Sequence, residues 1–166
     1  MSTSPEIVDG HCTCGHVHYQ TTATPLIVHA CHCRGCQQNS GGAFALNALV
    51  EADSVTLVSG KVEEITVPTP GGTGQDIARC VRCKVAVWSN YNFGGPLRKF
   101  IRFIRVGTLD DPDQMPPDIH IYTCSKQPWM ILPEADRRVE EFYDVQATWS
   151  PQSLKRLATL MKKAGV

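Results

Sequence analysis

Short apolar runs separated by turn residues recur along this chain, and only its end carries a helical stripe. His16–Thr22 is rich in residues that suit a pleated surface and reads as a strand. Leu26–Ala30, Ala43–Val50, Phe100–Val106 and His120–Cys124 read the same way, as do Ile77–Cys80 and Val85–Ser89 on either side of a tight turn. Val55–Val58 and Val62–Val67, joined at Ser59-Gly60, predict a hairpin. Residues 1–9 read as a flexible leader, 33–40 as a helical turn or tight loop closed by Gly41-Gly42, and 68–74 as a Pro/Gly-rich loop at a mobile edge. Over 150–164 the pattern changes to a helix. Ser150 is a suitable N-cap, Pro151 suits the first position, and Leu154, Leu157, Ala158 and Met161 form the apolar stripe. The expected class is therefore mainly β with a C-terminal amphipathic helix.

The cysteines change that picture most. Seven of the eight fall into a pair, a triplet and a pair: Cys12 and Cys14, then Cys31, Cys33 and Cys36, then Cys80 and Cys83. Two cysteines one or two residues apart reach a single zinc ion from a tight turn. The expectation for the two outer pairs is that together they close a four-thiolate structural site and staple distant parts of the chain, the alternative being that one pair is merely buried thiol. Cys31, Cys33 and Cys36 leave one corner of a second zinc open for water or substrate, which is the mark of a catalytic site. Two alternatives stand beside that reading. A histidine such as His32 can close the site and make it structural, or the three thiols can form a redox group without metal. An extended segment points His32 away from its neighbours, which counts against closure.

Composition excludes several classes. Lys plus Arg equals Asp plus Glu, 16 against 16, so no net field draws the protein to nucleic acid or an anionic membrane. No apolar run is long enough to span a bilayer, and the first residues lack the basic start and apolar core of a signal peptide. A cytoplasmic location follows as the expectation, where clustered thiols bind metal more often than they form disulfides. The basic phrase Arg98, Lys99, Arg102, Arg105 reads as charges on the wet side of a strand, and the lone Cys124 as a small buried residue. His11, His16, His18 and His29 flank the metal strands as solvated or supporting groups.

The order of these motifs resembles the glutathione-dependent formaldehyde-activating enzyme family, which includes centromere protein V-like proteins. The resemblance rests on Gly10, Cys12, Cys14, Gly15, Val17 and Tyr19; on Cys31-His32-Cys33 with Cys36, Gly41 and Phe44; and on Cys80 and Cys83. It continues through Gly107–Pro112, His120-Ile121-Tyr122 and Ser125-Lys126 with Pro128-Trp129, covering residues 10–145. It implies a β-tent of small antiparallel sheets pinned by two zinc ions, with Cys12, Cys14, Cys80 and Cys83 structural and Cys31, Cys33 and Cys36 catalytic. It also implies a carbon–sulfur lyase that condenses glutathione with formaldehyde to S-(hydroxymethyl)glutathione, so the expected partner is a small thiol or carbonyl compound. Lys126 and His120 are further candidates for substrate contact or proton transfer. A zinc lyase, isomerase or epimerase for another metabolite, or a non-catalytic zinc-stapled interaction module, are the alternatives. Two departures stand out: Lys84 replaces the glycine that usually follows the second pair, and Cys124 adds a thiol before the Ser-Lys phrase.

Overall fold

A computed structural model describes residues 6–91 and 95–166. Among them the strands in chain order are β1 (Ile7–His11), β2 (His18–Thr22), β3 (Ile27–Cys31), β4 (Ala45–Glu51), β5 (Thr56–Ser59), β6 (Val62–Val67), β7 (Gln75–Cys80), β8 (Ala86–Tyr91), β9 (Ile101–Arg105) and β10 (Ile119–Ile121). They form a three-stranded sheet in the order β1-β2-β5 and a seven-stranded one in the order β10-β3-β4-β9-β8-β7-β6. Every pairing is antiparallel except β10 on β3. The mainly-β expectation holds, with one sheet larger than foreseen.

Register assigns each side chain to a face. His29 lies opposite Asn47, Asn47 opposite Arg105, and Cys31 opposite Ala45. Directly opposed residues share a face, so these polar groups lie together with Leu49, Ile101 and Phe103. That face packs against Tyr143, Trp149, Leu157 and Leu160 from the C-terminal part of the chain. The alternating set, Val28, Ala48, Val50, Trp88 and Ile104, packs on Val17 and Tyr19 of the small-sheet side. The outer edge of β10 is covered by the 137–141 segment, through His120 N–H to Arg137 O and Val139 N–H to His120 O.

Several local expectations change. Thr56–Ser59 and Val62–Val67 are not a hairpin, because β5 pairs with β2 and β6 with β7. The chain crosses between sheets at Gly60 (φ 84°), where a Cβ would stand 2.0 Å from His16 O. Ile7–Asp9 belong to β1 rather than to a leader, and residues 1–5 lie outside the described residues. Residues 33–40 give a helix, α1 (Arg34–Ser40), ended by Gly41 in the left-handed region. A short helix, α2 (Val145–Thr148), follows Asp144.

The last helix, α3 (Pro151–Ala164), begins where expected, with the Ser150 hydroxyl accepting from Ser153 N–H at 3.0 Å. Its buried stripe is rotated from the expected one. Ser153, Leu157 and Leu160 are buried while Ala158 and Met161 face outward. Polar docking contacts set that rotation: Ser153 Oγ donates to Leu26 O at 2.7 Å, and Arg156 grips both Glu51 oxygens at 2.7 and 2.5 Å. Ser150→Ala removes the cap and is expected to lower unfolding free energy by about 1 kcal/mol in urea titration. An unchanged midpoint would show that docking alone holds the helix.

Candidate metal centre

Two tight turns build the outer cluster. Cys12 N–H bonds Val17 O and Gly15 N–H bonds Cys12 O, while Cys80 N–H bonds Val85 O and Lys84 N–H bonds Cys80 O. The two turns are near copies, and each places a residue with positive φ after its second cysteine: Gly15 at 70° and Lys84 at 63°. Lys84 thus occupies a conformation suited to glycine, and its ammonium pairs with Glu63 at 2.7 Å. Backbone N–H groups of Val17 and Arg82 point at the sulfurs of Cys12 and Cys80, at 3.2 and 3.4 Å. Hydrogen bonds of that kind favour the thiolate. The Cys83 thiol is pushed down to about 6, first by the Val85 N–H.

Four sulfurs about 2.3 Å from a tetrahedral zinc lie about 3.8 Å from one another. Here Cys12 and Cys14 sulfurs are 3.6 Å apart, Cys14 and Cys80 are 3.9 Å apart, and all four lie within 4.8 Å of one another. The donor set and its spacing fit zinc.

The inner cluster gathers Cys31 from the end of β3, Cys33 at the N-cap of α1 and Cys36 in its first turn, again with sulfurs within 4.8 Å. Cys33 Sγ accepts from Cys36 N–H at 3.3 Å. Hydrogen bonds from Cys31 and then Cys36 pull the Cys33 thiol down to about 2, while Cys33, then Cys36, and burial push Cys31 up. One thiolate is therefore stabilised and further charges are opposed. A divalent cation removes that opposition, so these residues also fit a metal. Among the described residues no histidine or carboxylate joins this group.

His32 follows Cys31 but turns away from the sulfurs. It is buried, stacked on His120, with its Nε2 2.9 Å from His120 Nδ1. His120 Nε2 in turn lies 3.3 Å from Asp136. Lys126 directs its ammonium to the carbonyls of Met130 and Gln127, at 2.5 and 3.2 Å. His29 is buried on β3, two residues before Cys31. Trp149 Nε1–H donates to the Tyr143 hydroxyl, which is 2.5 Å from His29 Nε2 and so donates to it; burial pushes His29 down to about 3, keeping the ring neutral. Cys124, expected to be buried, is exposed: its N–H bonds Glu140 O in a surface turn.

Four residues of the site escaped the sequence reading. Gln37 ties the cysteine turn to the Ser125-Lys126 segment, donating to His32 O (2.7 Å) and Ser125 O (2.9 Å) and accepting from Arg34 and Gln127. Tyr122 packs against the same buried cluster as Cys33 and Cys36, from a left-handed backbone position (φ 55°), a strained conformation for a side-chain-bearing residue. Asn47 and Arg105 form a 2.5 Å pair on the thiol face. Asn47 was visible as the polar residue inside an apolar run. The basic phrase does not lie on one wet side: Arg98 pairs with Asp76, Arg102 stacks on Trp88 at 4.9 Å, and Arg105 faces the other way.

The class this defines is a mainly-β fold carrying two unequal cysteine clusters, one of four and one of three, each able to hold a metal ion. Residues 7–125 match the family described as glutathione-dependent formaldehyde-activating enzyme, and the chain belongs to that family. A search of curated protein sequences finds no match. Among solved structures, a Rhodobacter sphaeroides protein from a structural genomics programme is similar over 61% of this chain and 87% of its own, at 17% identity and a TM-score of 0.47. No helix of the described residues is long and apolar enough to cross a membrane.

The shared turn geometry yields a direct test. Lys84→Gly relieves a left-handed conformation worth about 1 kcal/mol and gives up an exposed ion pair worth less. The expected result is a Tm higher by about 2 °C in a zinc-loaded sample. A fall in Tm would show that the Glu63 pair outweighs the strain. A second test separates the clusters. Cys80→Ser is expected to cost more than about 3 kcal/mol in stability, and Cys31→Ser far less. Equal losses would refute the division into a stapling and a non-stapling site.

Proposed function

We propose that this chain is a zinc-dependent enzyme of the carbon–sulfur lyase type that joins a small thiol to an aldehyde, with glutathione and formaldehyde as the leading pair. One observation carries the proposal: Cys31, Cys33 and Cys36 converge without a fourth cysteine, histidine or carboxylate among the described residues. Zinc held by three thiolates keeps a coordination position open and supplies Lewis acidity there. In the reaction a sulfur–carbon bond forms from the thiol sulfur to the aldehyde carbon. The carbonyl π pair moves to oxygen, and the thiol proton ends on that oxygen.

The residues around the triplet have separable tasks in this proposal. Cys31, Cys33 and Cys36 hold the metal, and Gln37 keeps their turn against the Ser125-Lys126 segment. His120 pairs with Ala30, on the face of β3 away from Cys31, so in this proposal it does not hold the transferred proton; bracketed by His32 and Asp136, it supports the turn behind the triplet. Lys126 fixes the adjoining turn through the Met130 carbonyl. An interaction module would need only the outer cluster, so the inner triplet favours the enzyme.

Exchange NMR of glutathione with formaldehyde tests this reading. Zinc-loaded protein is expected to raise exchange above the spontaneous rate, and Cys31→Ser to remove more than about 99% of the added rate. Spontaneous exchange alone, with both zinc ions bound, would rule out this substrate pair.

A further inference from the structure

Arg105 is a cation placed among thiols without a carboxylate. It stands two strands across from Cys31 and two residues along, on the same face of the large sheet. That offset corresponds to about 12 Å between Cα atoms, much of which an extended arginine covers toward the sulfurs. The thiols of Cys36 and Cys31 act on its charge, and so does the neighbouring guanidinium of Arg79. Its Nη1 donates to Asn47 Oδ1 at 2.5 Å. The Asn47 amide is itself buried and donates to Ala45 O, so it holds the guanidinium in one orientation. No ion pair among the described residues involves Arg105 or Arg79. Nor are the remaining Arg105 nitrogens among the sealed, unpaired atoms of the protein, which include Arg102 Nε. Arg105 therefore keeps donors that are neither ion-paired nor sealed.

A divalent ion on three thiolates carries one net negative charge, which the Arg105 guanidinium offsets. Arg79 donates instead to Lys84 O in the outer cysteine turn, so Arg105 is the guanidinium on this face with donors left for a substrate anion. From this geometry we infer that Arg105, oriented by Asn47, binds a carboxylate of the thiol substrate and makes the site selective for thiol acids over neutral thiols. The inference rests on the thiol-binding reading above and adds a recognition element to it. A planar guanidinium with adjacent free donors matches a carboxylate in a way a lysine ammonium does not.

The contrasting role is plain neutralisation of the metal–thiolate charge. In that case any thiolate benefits equally, whatever its other end carries. Matched acids and amides separate the two. The probes are mercaptoacetate, 3-mercaptopropionate and 4-mercaptobutyrate, each against its own amide, titrated calorimetrically into zinc-loaded protein. At least one acid is expected to bind more than about fivefold tighter than its amide, a margin typical of a charge-assisted pair. Arg105→Gln is expected to bring that ratio close to one while zinc content and circular dichroism stay unchanged. Arg105→Lys, which keeps the charge and loses the fork, is expected to fall between; it replaces the glutamine variant if that protein does not retain its zinc. Acid-to-amide ratios below fivefold for all three lengths, or a ratio that survives both substitutions, would overturn the assignment to Arg105 alone. If no thiol binds, the thiol-binding reading falls and this inference with it.

Discussion

Bringing Cys12 and Cys14 against Cys80 and Cys83 fastens the turn between β1 and β2 to the turn between β7 and β8. The two sheets also meet through side chains, Val17 and Tyr19 on one side and Ala78, Trp88 and Ile104 on the other, and through a backbone bridge from β1 to the segment after β9, where Asp110 N–H bonds Asp9 O. Four sulfurs with tetrahedral spacing fix the separation of those sheets at one end. The Tyr19 hydroxyl, 2.7 Å from the Thr108 hydroxyl, fixes it again nearby. Gly60 then lets the chain pass between the sheets under His16. This apolar layer, held from two sides, is the platform on which the opposite face of the large sheet can afford polar groups.

That opposite face is where chemistry becomes possible. Period-two alternation sends Val28, Ala48 and Ile104 into the packed layer, and His29, Asn47 and Arg105 to the other side. Burying such groups is tolerable because each is paired: His29 with Tyr143, and Asn47 with Arg105. The C-terminal helix covers the apolar half of this face, anchored by Arg156 on Glu51, and leaves the end bearing the cysteine triplet to the Ser125-Lys126 segment. Gln37 makes four hydrogen bonds there, so the triplet rests on a rigid turn.

Cysteine spacing made both metal clusters legible in the sequence, because a tight turn with one or two intervening residues is a local property. The strands and the start of α3 were legible for the same reason: apolar runs, Ser150 and Pro151 are local signals. Partner choice was not. Thr56–Ser59 and Val62–Val67 looked like a hairpin because nothing local reveals that Gly60 sits against His16. The buried side of α3 depends on Glu51 and Leu26, more than a hundred residues away. The basic phrase was not legible: Arg102 and Arg105, three residues apart in β9, face opposite ways, and the role of each follows from strand order, which puts Trp88 on one side and Asn47 on the other.

The central claim is an asymmetry between a closed and an open metal centre. X-ray absorption at the zinc edge of protein carrying two zinc ions measures it most directly. Expected is a sulfur shell averaging between three and four per zinc with a lighter atom completing the set, and four sulfurs only once Cys31→Ser has emptied the inner site. A pure four-sulfur shell in the unaltered protein, or a single zinc ion per chain, would contradict it.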